Sequence, residues 1–535
     1  MEQKIADYII VGAGSAGCVL ANRLSADPLA KVVLLEAGGK DLNPWLHVPV
    51  GFFKTIDRPA YDWQYKTEPV PGLNNRVVDW PRGRVLGGSS AINGLLYVRG
   101  QAQDYDRWAQ MGNAGWSWDD VLPYFKRSEN NERGADEFHG DSGPLSVDNM
   151  RVERPITNAW LEAAQEAGYD YNHDYNGAEQ EGVGVFQFTS RNGRRCSAAV
   201  AYLNPVKKRE NLEIITKALV EKVNIENGVA TGITYRDRNG KSHTINATKE
   251  VILSGGAVNS PQLLMLSGIG EAEQLQENGI TVTKDLPGVG KNMQDHLQVR
   301  LVFKTNIPTL NDEVQSLFGQ AMIGLQYILK RSGPMTIAAS LATAFVKSAE
   351  HVDTPDVQFH VQPMTAQDMS KGADPFSAFS SSVCQLRPES RGEIRIKSND
   401  PSDYPKIIPN YLDTENDRRT MVEAVKIARR IVEHEPVASK ITEMFKPDGS
   451  FDLDDDEATL AWIRDNASSI FHPTGTCKMG NDQNAVVDER LRVHGIKKLR
   501  VADCSIMPEI ISGNTNAPAM MIGEKCSDMI LADNS

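Results

Sequence analysis

The chain has 535 residues, of which 40% are hydrophobic and 24% charged, and its formal net charge is −13. This length allows two domains with sizeable cores, and an acidic chain without a long basic run is not expected to bind nucleic acid. No apolar run reaches the ~18 residues that predict a transmembrane helix, and no signal or transit peptide is expected. We therefore expect a soluble, cytoplasmic protein, with peripheral membrane contact left open.

A dinucleotide-binding fingerprint opens the chain. Residues 7–12 (DYIIVG) form a short apolar run, which predicts a strand buried on both faces. The G-x-G-x-x-G stretch at 12–17 follows, and residues 18–24 have the apolar spacing of a helix. A second strand is predicted at 32–35, and Glu36 follows it. The order of strand, turn, helix, strand and acid predicts a bound dinucleotide.

The residues of this fingerprint have separate predicted roles. Gly12 makes the tight turn, Gly14 lets the backbone approach a pyrophosphate, and Gly17 lets the helix pack on the strand. The N–H groups at the helix N-terminus face the phosphates, and Glu36 accepts hydrogen bonds from ribose hydroxyls. The cofactor-binding residues predicted here are Gly12, Gly14, Ser15, Ala16, Gly17, Glu36 and Ala37.

Further motifs follow along the chain. Residues 81–100 (PRGRVLGGSSAINGLLYVRG) are dense in Gly and Ser, which suits backbone wrapped around a phosphate and a ring. The others are SGGAVNSPQLLMLSGIG at 254–270, DLPGVGKNMQDH at 285–296, FHPTGT at 471–476, LRVADCSIMP at 499–508 and GNTN at 513–516.

With these motifs in this order, the chain resembles the glucose–methanol–choline (GMC) flavoprotein oxidoreductases from Tyr8 to about Leu531, most weakly between about 300 and 450. The resemblance implies FAD rather than NAD. It also implies an α/β fold, in which a Rossmann-type FAD-binding domain is joined to a discontinuous α+β substrate domain built on an antiparallel sheet. The FAD-binding domain would comprise 1–155, 211–300 and 466–535, and the substrate domain 156–210 and 301–465. Alternating polar and apolar residues at 356–361 and 393–397 predict two strands of that sheet.

Two residues near the C-terminus suit alcohol oxidation, which removes a hydroxyl proton and a carbon-bound hydride. The resemblance places His472 in the family's H-[P/G]-x-G-T motif, where an imidazole accepts the proton near neutral pH. The family has a second His or an Asn ten residues before a Gly-Glu-Lys-like position. Counting back from Glu524 gives Asn514, whose NH₂ group would stabilise the alkoxide. The flavin N5 would accept the hydride.

The resemblance implies further contacts with the cofactor and the substrate. The remaining cofactor-binding residues are predicted to be Arg84, Gly87, Gly88, Ser89, Asn93, Gly94, Val98, Val220, Gly255, Gly256, Asp503, Asn516 and Pro518. Phe359 and Phe471 are predicted to line the substrate pocket. Ile92 stands where some members carry a His that binds FAD covalently, so the FAD is expected to be non-covalent.

The six cysteines are scattered without a C-x-x-C pair, which predicts reduced thiols in a reducing compartment. The ten histidines include no pair at metal-ligand spacing, so no metal site is expected. Among them, His296 is interpreted as a turn anchor and His360 as a core or pocket residue.

The predicted function is therefore FAD-dependent oxidation of an alcohol, preferably primary, to the aldehyde. The segments at 44–51 and 192–197 look most like bacterial choline, sorbose, polyethylene glycol and aliphatic alcohol dehydrogenases, so a sugar, a polyol or choline are alternative substrates. A quinone or another carrier is preferred to oxygen as the electron acceptor. A lyase that keeps FAD as structure and a non-redox FAD-binding protein are the remaining alternatives, and the oligomeric state is open.

Overall fold

The computed structural model describes residues 4–367 and 372–534 of the chain. Two seven-stranded sheets form the framework, and helices cover them. The helices are Ser15–Leu24, Phe52–Thr55, Ala102–Gln110, Trp118–Ser128, Pro155–Glu166, Gly256–Leu266, Ala272–Glu277, Leu310–Gln315, Leu317–Lys330, Glu415–Val432, Asp456–Asn466 and Asn516–Asp533. Short two-stranded ladders join Tyr65–Lys66 to Asp79–Trp80, Glu129–Asn131 to Leu145–Val147, Ser190–Arg191 to Arg194–Arg195, Ile269–Gly270 to Lys284–Asp285, and Glu393–Arg395 to Lys406–Ile408.

The first sheet is mainly parallel. Its strands in spatial order are Leu212–Thr216, Val32–Glu36, Lys4–Val11, Ser242–Leu253, Val229–Arg236 and Leu219–Glu226, and Leu499–Val501 pairs with the end of the fourth. The first four strands and Leu499–Val501 pair in parallel. Val229–Arg236 pairs antiparallel with both of its neighbours, Ser242–Leu253 and Leu219–Glu226. Ile9, Ile10 and Leu34 are completely buried, because helices and loops cover both faces of a parallel sheet.

The second sheet is entirely antiparallel. Its strands in spatial order are Ile441–Lys446, Leu297–Thr305, Ala378–Gln385, Val357–Gln362, Ala342–Val346 and Gly182–Val185, and Ser468–Ser469 pairs with the start of the second. Along Leu297–Thr305, the residues Val299 and Leu301 are buried in the core, whereas Gln298 and Arg300 line a cavity. The sheet therefore presents one apolar face to helices and one polar face to the site.

The observed elements differ from the predicted ones in two places. The first helix begins at Ser15 rather than Cys18, so its N-terminal turn includes the fingerprint itself. The prediction that 393–397 belongs to the substrate-domain sheet is wrong, because Glu393–Arg395 pairs only with Lys406–Ile408. The alternating polar and apolar residues there belong to this separate two-stranded ladder, which is buried on one side.

The predicted domain boundaries stay a prediction. All strands of the first sheet lie in the segments assigned to the FAD-binding domain. Two strands of the second sheet cross the predicted limits, since Leu297–Thr305 begins before residue 301 and Ser468–Ser469 lies after 465. These crossing strands bring both ends of the predicted substrate domain to the cavity.

Candidate active site

A cavity of about 390 Å³ lies between the two sheets. One part of its wall comes from the carboxyl ends of parallel strands, at Val11, Glu36 and Leu253. Ligands of α/β proteins bind at this edge. The other part includes the polar face of the second sheet, together with His472 and Asn514. The fingerprint and the C-terminal pair therefore share one continuous cavity.

The glycine turn has no room for side chains at two of its positions. Gly12 has a φ of +100°, and a Cβ there would lie 2.4 Å from the carbonyl oxygen of Ser254. A Cβ on Gly17 would lie 1.9 Å from the carbonyl oxygen of Gly12. No side chain caps the N-terminus of helix Ser15–Leu24, so its N–H groups remain available to an anion.

Glu36 closes this end of the cavity. Its Oε2 accepts a hydrogen bond from the N–H of Ala13 at 3.0 Å, and its Oε1 accepts one from Gly38 at 2.8 Å. Burial raises its pKa to about 7, against the effect of these two donors. The carboxyl group is thus held in place beside the turn, with free lone pairs for ribose hydroxyls.

Two more contacts bring the later motifs onto the fingerprint. A Cβ on Gly88 would lie 2.7 Å from the Cα of Gly14, so the Gly-rich segment crosses the turn at backbone distance. Ser15 donates from its hydroxyl to Oδ1 of Asn516 at 2.8 Å, which joins the starts of two helices. This arrangement, with two glycine-lined approaches and an uncapped helix start, fits a pyrophosphate and the groups on either side of it.

The structure places most predicted cofactor residues in the cavity wall. Those that line it are Gly12, Gly14, Ser15, Ala16, Glu36, Ala37, Gly88, Ser89, Asn93, Gly94, Val220, Gly255, Gly256, Asp503 and Asn516. The predicted residues Gly17, Arg84, Gly87, Val98 and Pro518 are not among the residues that line it. Gly17 and Val98 instead support the wall, since Val98 packs directly against Gly513 beside Asn514.

His472 reaches the cavity because of how two segments pair. The amide of Ile470 donates to the carbonyl of His296, and Thr474 exchanges two backbone hydrogen bonds with Gln294. Three residues therefore bulge outward between these pairings. The bulge is strained at Phe471, whose φ is +70°. The bulge projects His472 into the cavity.

A directed chain of hydrogen bonds assigns the tautomer of His472. Nε2 of His296 lies 3.0 Å from the carbonyl oxygen of Leu386, and a carbonyl only accepts, so Nε2 carries the proton. Nδ1 of His296 then accepts from Nδ1 of His472 at 3.0 Å. Nε2 of His472 is therefore unprotonated in the neutral ring. This nitrogen is the one positioned to act as a base.

Asn514 is held with its donor toward that nitrogen. Its Nδ2 lies 3.1 Å from Nε2 of His472, and its Oδ1 accepts from Nε2 of Gln358 at 3.2 Å. Gln358 is completely buried on the second sheet. Because the amide of Gln358 fixes the oxygen of Asn514, the NH₂ group faces His472. Its second N–H remains available for another acceptor.

The surroundings of His472 disfavour its charged form. Burial is the main cause that holds its pKa well below the ordinary value of about 6.5, and repulsion from His296 and His360 in their protonated forms and from Arg82 acts in the same direction. Burial also lowers the pKa of His296 to about 4 and that of His360 to about 3. The ring is therefore neutral and ready to accept a proton at neutral pH.

Asp295 supports the backbone of the bulge. Its Oδ1 accepts from the amide N–H of His472 at 2.6 Å, and its Oδ2 accepts from the hydroxyls of Ser469 and Tyr411. Burial raises its pKa to about 6, while these donors and the charge of Arg82 oppose the rise. Asp295 contacts the main chain of His472 and not its ring, so it positions the histidine.

Several residues of the site were missed or interpreted differently from sequence. His296 was interpreted as a turn anchor, yet it bonds directly to His472. Gln358 and Arg300 were not considered, although each has its place on the polar face of the second sheet. The sequence pattern that could have indicated them is the set of polar residues in an alternating strand. Such residues can face solvent as readily as a cavity.

The two predicted pocket residues have different outcomes. Phe359 does not line the cavity: it is completely buried on the other face of its strand, with its ring centroid 5.8 Å from that of Trp160. Side chains alternate along a strand, so the cavity-facing residue is its neighbour His360. Phe471 does line the cavity, and its contact with a substrate stays a prediction.

Comparison with known protein families agrees with this geometry. The family models for GMC oxidoreductase match residues 6–298 and 388–523. An alcohol dehydrogenase [acceptor] of Pseudomonas putida is 43% identical over 98% of this chain and 95% of its own length. The mitochondrial choline dehydrogenase of Homo sapiens is 44% identical over 98% and 89%. The chain belongs to the GMC oxidoreductase family.

Solved structures show the same fold. Pyridoxine 4-oxidase from Mesorbium loti superposes with a TM-score of 0.88 at 31% identity, over 98% of each chain. Formate oxidase of Aspergillus oryzae superposes with a TM-score of 0.92 at 26% identity, over 100% of this chain and 99% of that one. The protein is an FAD-dependent enzyme that oxidises an alcohol, and the residues described above fit FAD.

The low pKa of His472 predicts that the rate of flavin reduction by substrate stays high at mildly acidic pH. Because the pKa lies well below about 6.5, the basic form persists as the pH falls below this value. We expect the rate constant to be level from about pH 8 down to 6.5 and to decrease only below it. Stopped-flow measurements with a neutral alcohol test this, and half-loss at or above pH 6.5 would contradict it.

Proposed function

We propose that this protein is a dehydrogenase for a neutral primary alcohol, with His472 as the base and a carrier other than oxygen as the electron acceptor. The observation that supports it most is the unprotonated Nε2 of His472 beside the NH₂ of Asn514 in the cavity. Bound FAD would supply the acceptor for the hydride of the carbinol carbon.

In this proposal the substrate hydroxyl takes the place of the Asn514 N–H at the single lone pair of Nε2 of His472 and gives its proton to that nitrogen. The Nδ1–H of His472 stays bonded to His296 throughout, so the ring keeps its orientation as it becomes charged. The second N–H of Asn514 donates to the oxygen that becomes an alkoxide. Deprotonation and charge stabilisation thus come from neighbouring groups with separate functions.

Replacing Asn514 by alanine is expected to slow flavin reduction about 10²–10³-fold, the usual cost of losing one donor to an oxyanion. Asn514→Asp substitutes an acceptor for the NH₂ and should be no faster than Asn514→Ala. Asn514→His restores an N–H donor and should recover part of the rate. Rapid-reaction kinetics at equal FAD content check the order, and an alanine variant within threefold of wild type would remove Asn514 from the mechanism.

The polar face of the second sheet argues against choline. Arg300, Ser382 and His360 are opposite one another on three adjacent strands, and all three line the cavity. Within the described part of the chain, Nε of Arg300 has no hydrogen-bond partner, and the ring of His360 faces the side chain of Asn514. A guanidinium repels a trimethylammonium group, for which an aromatic cage and a carboxylate would be suitable. These three side chains instead suit a neutral substrate whose oxygen atoms accept hydrogen bonds.

A substrate panel tests this preference. We expect primary alkanols or glycol ethers to reduce the flavin at least tenfold more efficiently than choline. The Arg300→Gln variant should decrease this ratio of efficiencies, because it removes the charge that repels the trimethylammonium group. Sorbose and other polyols belong in the same panel, because Arg300, Ser382 and His360 also offer hydrogen bonds to several hydroxyls. Choline as the best substrate of the wild-type protein would overturn the proposal of a neutral alcohol.

The proposal also concerns the electron acceptor and the cellular compartment of the protein. The relatives include an alcohol dehydrogenase [acceptor] and an oxygen-dependent choline dehydrogenase of Sinorhizobium fredii, 42% identical over 98% of this chain. All six cysteines are free, and five of them are buried. Free thiols support a reducing, cytoplasmic environment. Slow reoxidation of the reduced flavin in air, with fast reoxidation by a quinone, is the expected behaviour of a dehydrogenase.

The FAD is expected to be released by acid. Ile92 lines the cavity at the position where a covalent histidine link would form, and an alkyl side chain cannot make that bond. After precipitation with trichloroacetic acid, the yellow colour should remain in the supernatant. Colour retained in the protein pellet would show a covalent bond to another residue.

A further inference from the structure

The helix Leu317–Lys330 (LFGQAMIGLQYILK) is apolar, yet it exposes its apolar side. Six large side chains on it are 48–84% exposed: Leu317, Phe318, Met322, Leu325, Ile328 and Leu329. At about 100° per residue, these six fall within an arc of about 140°. An ordinary surface helix turns such a face toward the core. We call these six side chains the apolar face.

The opposite side of the helix attaches it to the protein. Tyr327 is the one residue of the helix that is fully buried, and its hydroxyl donates to the carbonyl of Gly193 at 3.1 Å. The helix ends at Arg331, which has a φ of +50°. A Cβ on Gly193 would lie 2.4 Å from the carbonyl oxygen of Arg331, so the loop at 192–193 packs tightly beneath this end. The helix is therefore anchored, with its apolar face directed outward.

The C-terminal end of the apolar face is positive, although the whole protein carries −13. The helix sequence contains no Asp or Glu and ends in Lys330, followed by Arg331. The guanidinium of Arg331 lies over the ring of Tyr327 at 4.9 Å, and the charge of Arg194 also acts on Tyr327. Lys330, Arg331 and Arg194 are all exposed. These cations complement an anionic surface, and the acidic residue Glu313 nearby is paired with Arg154.

We propose that the helix Leu317–Lys330 docks the protein on the surface of an anionic lipid bilayer. Its apolar face enters the headgroup boundary, and its basic end contacts lipid phosphates. The helix has 14 residues, about 21 Å, which suits lying in the interface rather than crossing it. In the described part of the chain, no helix has the length and apolar character needed to span a membrane.

The position of this helix relates the bilayer to the cavity. The chain continues from Lys330 through the turn Pro334–Thr336 to Ala339 and Ser340, which both line the cavity. Ala339 is close to the Gly-rich segment, since a Cβ on Gly94 would lie 2.4 Å from its Cβ. Docking would therefore hold the site near the lipid phase, where apolar alcohols and quinones dissolve.

Vesicle sedimentation of the purified holoenzyme tests the proposal. With vesicles of phosphatidylcholine and phosphatidylglycerol, we expect the wild-type protein to pellet, and binding to weaken in high salt. The double variant Phe318→Glu/Ile328→Glu should bind at least tenfold more weakly, since two apolar side chains that would insert into the bilayer are lost and two negative charges are added. Its turnover with a soluble dye acceptor should equal that of wild type.

A matched control uses exposed leucines away from the helix. Leu29 and Leu42 are 86% and 79% exposed, so Leu29→Glu/Leu42→Glu makes the same charge change elsewhere. This variant should bind vesicles within twofold of wild type. Wild-type protein that stays in the supernatant with every lipid composition would overturn the proposal. A second result would also overturn it: the wild-type protein is a dimer, the Phe318→Glu/Ile328→Glu substitutions dissociate it, and neither form binds vesicles. In that case a second copy of the chain covers the apolar face.

Discussion

Replacing His472 by alanine is expected to lower the rate of flavin reduction by substrate about 10²–10⁴-fold, the range for loss of a general base. In the proposal, the proton of the substrate hydroxyl goes to Nε2 of this imidazole, the nitrogen that the hydrogen bond to His296 leaves unprotonated. Asp295 bonds the amide N–H of residue 472, which alanine keeps. The bulge and the FAD content should therefore be unchanged. Anaerobic stopped-flow absorbance measures the loss.

The control for this variant is His434→Ala, which removes a half-buried imidazole whose Nδ1 bonds to the carbonyl of Arg430, away from the cavity. It should reduce its flavin as fast as wild type. His472→Gln provides a second check, because an amide retains the size and polarity but is a very weak base. If His472→Ala binds FAD fully and reduces it at a near-normal rate, another group accepts the proton and the assignment of His472 is wrong.

Replacing Gly14 by valine is expected to give a folded protein that loses most of its FAD. A Cβ on Gly14 would have only the carbonyl oxygen of Ser254 within 4 Å, at 3.9 Å, so the fold accommodates it. The added atoms enter the cavity at the helix N-terminus, where the pyrophosphate is predicted to approach the backbone. The ratio of flavin to protein absorbance in the purified sample measures the loss, which we expect to exceed about tenfold.

Gly39→Val is the matched control, since a Cβ on Gly39 has no atom within 4 Å. It should retain FAD at the wild-type ratio. Near-UV circular dichroism of Gly14→Val distinguishes a lost cofactor from a lost fold. A folded Gly14→Val protein with a full complement of FAD would mean that the phosphates do not lie at this turn.

The N-terminal half of the site could be predicted from sequence because its parts are contiguous. Strand, glycine turn, helix and acid lie within Lys4–Glu36, and Gly12 and Gly17 each have a local steric reason that the structure shows. Gly12 needs its positive φ, and Gly17 needs contact with the backbone of Gly12. Such short-range constraints leave a pattern in the residues themselves.

The environment of His472 could not be predicted in the same way, because its partners are distant in sequence. His296 is 176 residues away and Gln358 lies on a strand 156 residues from Asn514. The register between 294–298 and 468–474 brings His296 to His472. Strand pairing depends on tertiary packing, so the sequence indicated the candidate residue types but not the hydrogen-bond chain that sets their tautomer and orientation.

The incorrect interpretation of Phe359 has a related cause. An aromatic residue in an alternating strand indicates that one face is buried, but both faces of Val357–Gln362 are buried here. One faces Trp160 and the helices, and the other faces the cavity. Hydrophobicity identified the core side, whereas the polar residue His360 marked the site. In a sheet that forms the wall of a cavity, the polar positions are the better candidates.

The measurement that tests the central claim most directly is an anaerobic single turnover of the wild-type holoenzyme with a primary alkanol. We predict that the visible absorbance of the flavin is lost and that one aldehyde forms for each flavin reduced. Wild-type protein with a full complement of FAD that stays oxidised with alkanols, glycol ethers, sorbose and choline alike would contradict alcohol oxidation at His472.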